Sequence, residues 1–142
     1  MWTTDHEATT DARPAAVWEA LRALHSGTPL GPNSDSFELH GPFEVGTRVT
    51  ITPQGQDSME SVIVELEPDV VYADQTAFGD LTLTFRHRLS PTAAGGTTVT
   101  HELEISGEGA DEIGQELGPQ ISSDFPASMR ELFAAAERGM HV

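Results

Sequence analysis

The sequence predicts an α+β fold in which an antiparallel sheet of about six to seven strands curls around a long C-terminal helix. Three observations carry that expectation. Apolar residues recur at helical spacing near both ends of the chain, they alternate with period two in between, and the alternating segments are joined by short turns that favour antiparallel neighbours. At 142 residues the chain suits one domain spanning 1–142, long enough to bury a core.

Residues 2–10 are polar and rich in threonine, which suits an edge strand. Arg13-Pro14 then opens a helix, because proline fits the first helical turn. Val17, Trp18, Leu21 and Leu24 give that helix one apolar stripe over 14–24. Residues 26–36 hold Gly27, Pro29, Gly31, Pro32 and Asn33, so they form a loop long enough to cover something. Strands follow at 37–40, 46–52, 59–66, 70–78, 81–89 and 98–106. In the third of these Val62, Val64 and Leu66 share one face by simple alternation. Gly79-Asp80 is a two-residue hairpin signal. A short helix at 111–117 ends at Gly118-Pro119. A longer one over about 119–138 carries Ile121, Phe125, Met129, Leu132, Phe133 and Ala136 on its stripe, with Pro126 kinking it. A sheet with one apolar face must bury it, and the last helix is the only element long enough to do so. With six Phe, two Trp and one Tyr, few large side chains are available to fill the space between them.

Composition excludes several kinds of chemistry. There is no cysteine, hence no disulfide and no thiolate chemistry or thiolate metal site. There is no lysine, so Schiff-base catalysis is out. A formal charge of −16 argues against nucleic acid and against anionic membranes. The first ten residues have neither the basic nor the apolar region of a signal peptide, and no apolar run nears the ~20 residues of a membrane span. A cytoplasmic location is the default expectation. No cofactor is implied, and a homodimer is compatible with the sequence although no residue argues for one.

Five segments resemble one known superfamily. They are Ala12 to Trp18 (ARPAAVW), Gly41 to Arg48 (GPFEVGTR), Leu83 to Leu89 (LTFRHRL), Gly96 to Ile105 (GTTVTHELEI) and the proline-interrupted last helix. Together they resemble the SRPBCC, or START-like, superfamily in its polyketide cyclase/dehydrase-like branch, across nearly the whole chain. The resemblance implies a helix-grip fold and a small hydrophobic ligand held in a cavity between sheet and C-terminal helix, with some members cyclising or dehydrating polyketides. The family often has a tryptophan after the first helix; this chain has the Gly/Pro-rich stretch at 26–36 instead.

The Gly79-Asp80 hairpin sets a register. If Phe78 faces Leu81, then Thr76 faces Leu83, Asp74 faces Phe85 and Tyr72 faces His87. His87 shares the parity of Leu81, Leu83, Phe85 and Leu89, and His101 that of Val99, Leu103 and Ile105, so both point inward. A two-residue slip between the last two strands would instead put His87 opposite Val99. Tyr72, His87 and His101 are therefore expected in one inner row, with Asp74 diagonal to His87 and near enough to orient it. The candidate catalytic residues are His87, His101, Tyr72 and Asp74, since imidazoles, a phenol and a carboxylate can move protons or polarise a carbonyl. The candidate ligand contacts are Tyr72, Phe85, His87, His101, Leu103, Phe125 and Met129. A plainer account has the polar groups bonding one another or water. A zinc shared by His87 and His101 with Asp74 or His40 is conceivable, but no ligand motif occurs and His6, His25, His40 and His141 are scattered, so no metal is expected. Arg86 and Arg88 have the opposite parity and should lie in solvent, with Glu102 and Glu104 as cross-strand partners.

Overall fold

The computed structural model describes residues 1–32 and 34–139. Asn33 of the Gly/Pro-rich loop and His141 lie outside them. One seven-stranded antiparallel sheet has the order β1-β7-β6-β5-β4-β3-β2. β1 spans Trp2–Thr10, and α1, Pro14–His25, then carries the chain across to the far edge. From there β2 (Ser36–Leu39), β3 (Arg48–Thr52), β4 (Met59–Glu67), β5 (Val71–Phe78), β6 (Leu81–Pro91) and β7 (Thr97–Gly107) meander back until β7 pairs with β1. Both α2 (Ala110–Ser122) and α3 (Phe125–Gly139) follow β7. α2 packs on β1 and β7, whereas α3 packs chiefly on α1 and the end of β1.

The hairpin register is the expected one, with Phe78 opposite Leu81 and Tyr72 opposite His87. Across the next turn His87 pairs with His101, and the slipped alternative does not occur. The period-two reading fails in β4. There the register shifts between Ile63 and Glu65, a β-bulge that adds one residue and reverses parity beyond it. As a result Ile63 is fully buried, Leu66 joins the same interior, and Val62 is exposed, so Val62, Val64 and Leu66 do not share a face.

The helix break also moves. α2 runs straight through Gly118-Pro119, and the chain breaks at Ser123-Asp124 instead. Pro126 is then the second residue of α3 rather than an internal kink, a place where its missing N–H costs nothing. The first helical bond of α3 runs from Ser128 N–H to the Asp124 carbonyl (2.9 Å). α2 keeps its two glycines for a packing reason. Gly114 and Gly118, one turn apart, lie flat against the Trp2 indole, and a Cβ at either would overlap the ring.

Two core clusters result. One joins α1, the inner faces of β3 to β5, and Met129, Leu132 and Ala136 of α3. The other joins Leu81, Leu83, Leu103, Ile105 and Ala110 with Phe125. Each fully buried aliphatic side chain contributes ~1.5–3 kcal/mol. On the convex face Arg86 is not in solvent as expected. Its guanidinium is 13% exposed and donates to Glu65 of β4 and Glu102 of β7, 2.6 Å each, because Glu102 stands opposite it on the neighbouring strand and Glu65 lies in the same row across β5. Arg88 is exposed, 3.7 Å from Glu102.

Candidate functional site

Strand pairing lines up one row across the inner face: Leu66 on β4, Tyr72 on β5, His87 on β6, His101 on β7 and His6 on β1. His25, at the end of α1, lies over the middle of it, with ring centroids 4.1 Å from Tyr72 and 5.3 Å from His87. The imidazoles of His87 and His101 meet edge to face at 4.5 Å, and His101 meets Phe125 at 6.0 Å. On the other side Phe43 stacks on Tyr72 (5.5 Å) and touches Trp18 (6.2 Å). A ladder of rings therefore runs from α1 to the start of α3.

Tyr72, His87, His101 and Asp74 are thus brought together, and Phe85, Leu103, Phe125 and Met129 surround them in the two core clusters. Asp74 does not orient His87. Its Oδ2 accepts from the Tyr72 hydroxyl at 2.9 Å, because residues two apart on a strand share a face and the phenol reaches along it. Its Oδ1 has no partner, nor do Thr76 Oγ1, His87 Nδ1 and His101 Nε2, all of them buried. Burial raises the Asp74 carboxyl to about 6 against the pull of its hydrogen bonds. Burial, followed by the neighbouring charge and hydrogen bond of Asp74, pushes the Tyr72 phenol up. Burial lowers His101 to about 3 and His25 to about 4, and lowers His87 well below the ordinary imidazole range, with neighbouring histidines adding to the effect on His87 and His101. All three are neutral at pH 7.

His25 lies one residue beyond the stripe expected to end at Leu24. The signal was its spacing of four from Leu21, whose carbonyl accepts from the His25 Nδ1–H at 2.8 Å. His6 was missed because its place opposite His101 depends on the return of β7 to β1. His40 stands apart on the convex face, donating to Thr50 Oγ1 (2.7 Å), which in turn donates to Glu60. Among the described residues no group of three or more His, Asp or Glu is disposed to hold a metal ion.

Of the inward side chains of β6, Leu81, Leu83 and Leu89 are buried while Phe85 and His87 stay partly exposed. The loop 26–36 is tied down nearby. Ser34 Oγ accepts from Leu30 and Gly31 N–H (3.0 and 3.1 Å), Arg138 of α3 donates to the Leu30 carbonyl (3.2 Å), and Gln54 donates to the Pro32 carbonyl (2.8 Å). Two hollows lie outside the grip. One, about 420 Å³, separates α1 from α3 along Ala16, Ala20, Ala23 and Ala135. The other, about 270 Å³, lies beside Val62 and Gln75 of β4 and β5.

A seven-stranded antiparallel sheet followed by a broken C-terminal helical region is the helix-grip fold. Solved structures with this fold superpose along almost the full chain. The Zhui aromatase/cyclase from Streptomyces sp. R1128 matches with a TM-score of 0.75 at 17% identity, covering 96% of this chain and 94% of that one. Norcoclaurine synthase from Thalictrum flavum, in complex with dopamine and hydroxybenzaldehyde, matches at 0.72 and 15% identity, covering 99% and 87%. Ara h 8.0201 matches at 0.63 and 19% identity, covering 96% and 94%. No protein-family model matches the sequence, and no curated protein matches it significantly. No helix among the described residues is long and apolar enough to cross a membrane.

Proposed function

We propose that the chain binds a hydrophobic small molecule between the inner face of its sheet and the C-terminal helices. The observation that carries this reading is the state of Phe85 and His87. Both point inward by strand parity, yet both stay partly exposed while Leu81, Leu83 and Leu89 of the same strand are buried. α3 packs chiefly on α1 and β1, which accords with the incomplete cover over these two side chains. Tyr72, His101, Leu103, Phe125 and Met129 supply the surrounding wall. The likeness to norcoclaurine synthase, a fold-mate holding two small aromatic molecules, supports the same reading. The test is fluorescence titration with N-phenyl-1-naphthylamine, an uncharged apolar probe. Saturable one-to-one binding is expected, weakened about tenfold or more when Phe85→Trp fills the space. A wild-type protein that never saturates would overturn the proposal.

A second reading, a polyketide cyclase or dehydratase-like reaction at His87 and His101, draws on the contact between their rings. Held neutral, the two imidazoles act as proton acceptors, and Asp74 is the interior group that exchanges a proton closest to neutral pH. In that case His87→Gln lowers the turnover of an enolisable ketone far more than it weakens probe binding.

A further inference from the structure

Among the described residues the interior holds an acid, Asp74, with no cationic side chain beside it. Asp74 is 2% exposed, and its Oδ1 accepts no hydrogen bond, since the neighbouring Ser61 hydroxyl donates to the Gln75 carbonyl instead (2.9 Å). The chain has no lysine, and six of its seven arginines are exposed at the surface while Arg86 sits on the convex face among glutamates. The titratable side chains facing Asp74 are Tyr72 on its own strand, His87 on β6, His101 on β7, His6 at the end of the same row on β1, and His25 on α1. His25, His87 and His101 are neutral, so none supplies a counter-charge. An unpaired buried carboxylate is costly, typically several kcal/mol, unless a cation or a proton joins it.

The surroundings select the kind of cation. Thr76 Oγ1, His87 Nδ1 and His101 Nε2 are further buried atoms without partners, on the same face of three adjacent strands. A threonine oxygen accepts a hydrogen bond, and so does one nitrogen of each neutral imidazole. A primary ammonium brings three donors. The rings of Tyr72, Phe43, His25 and Phe125 run through the same interior, and aromatic rings favour a cation on an apolar body over a hydrated metal ion. A carboxylate or phosphate ligand would instead meet Asp74 with nothing to neutralise it.

We propose that the interior site takes a hydrophobic primary amine, its ammonium group paired with Asp74 and its apolar body lying against the ring ladder, entering past Phe85 and His87. This rests on the ligand-binding reading above and narrows it to a chemical class. Net charge of −16 would steer such a ligand toward the protein but does not by itself choose the interior.

The test compares 2-(naphthalen-2-yl)ethylamine with the matching alcohol, 2-(naphthalen-2-yl)ethanol, by calorimetric titration at a pH of about 7.5 and about 0.5 M salt, which screens the diffuse surface field. The amine is expected to bind at least about tenfold more tightly in the wild type, and Asp74→Asn to bring the two within about twofold. Should Asp74→Asn fail to fold, the wild type decides alone. Its preference for the amine must shrink as pH falls through about 6, where Asp74 takes up its proton. Equal affinities for amine and alcohol, a preference that survives Asp74→Asn, or one that disappears at high salt would each overturn the proposal. If the alcohol and N-phenyl-1-naphthylamine bind while the amine has no advantage, only the amine inference fails. If none of the three binds, the ligand-binding reading fails with it.

Discussion

Asp74 depends on Tyr72 for its one hydrogen-bonded oxygen, and the two cannot be treated separately. The phenol O–H stabilises the ionised carboxylate and so opposes the rise that burial imposes on it. Tyr72→Phe removes that donor without opening a large cavity. The Asp74 carboxyl should then titrate above its present value of about 6, which carbon-13 NMR of labelled aspartate reads directly. The same change should destabilise the fold by ~1–3 kcal/mol, because a buried carboxylate with one unpaired oxygen loses its Tyr72 donor. An Asp74 that titrates at an unchanged pH in Tyr72→Phe would show the hydrogen bond to be energetically idle.

The C-terminal helical region is assembled from two unlike pieces. α2 is fitted to the sheet edge by the flat face that Gly114 and Gly118 offer to Trp2. α3 starts afresh at Phe125, with Pro126 in its first turn, and can take a separate direction over α1. Alanine is a better helix former than glycine by ~1 kcal/mol, so on propensity alone Gly118→Ala would stabilise α2. The overlap with the indole reverses the sign, since overpacking typically costs ~1–3 kcal/mol. Urea unfolding of Gly118→Ala should therefore give a lower midpoint than the wild type. Repeating the substitution in a Trp2→Ala background should remove the penalty and leave a neutral or stabilising change. A destabilisation that persists without Trp2 would mean the glycine is needed for something other than the ring.

Taken over the entire fold, the buried histidines make stability depend on pH. His25 and His101 lie at about 4 and about 3, and His87 is lowered as well, against about 6.5 in the unfolded chain. Below about 6.5 the unfolded state binds these protons and the folded state does not, so stability falls on acidification. Asp74 acts in the opposite sense. Its folded value of about 6 exceeds its unfolded one, so it takes up a proton on folding between the two and favours the folded state there as pH falls. Asp35 and Asp124, raised chiefly by partial burial, act likewise. Near pH 5 three histidine protons outweigh what Asp74 returns, and each net proton contributes ~1.4 kcal/mol per pH unit. Thermal denaturation from pH 7.5 down to 4.5 should show a falling melting temperature, with a shallower slope in His25→Phe. A melting temperature that rises over that range would contradict the assignment of these histidines as buried and neutral.

Local pattern was enough for much of this molecule. Proline and the stripe through Val17, Trp18 and Leu21 mark α1. The Gly79-Asp80 turn, with the alternation on either side, sets the pairing of Tyr72 with His87 and points to that of His87 with His101. These features are legible because a hairpin's register follows from residues close in sequence, and strand parity follows from a period of two. Where one extra residue entered a strand, as at the Ile63–Glu65 bulge, parity gave the wrong faces, because nothing in the local pattern records an insertion that only the partner strand reveals. The composition of the site was legible in part for the same reason. Tyr72, Asp74, His87 and His101 come from neighbouring strands. His25 arrives from a helix and His6 from the opposite end of the meander, and both reach the row through contacts between segments far apart in the chain. The missing partner for Asp74 is likewise a property of the packed interior. Whether a carboxylate has a counter-charge depends on every side chain that folding brings near it, and that is set by tertiary contacts rather than by sequence neighbours.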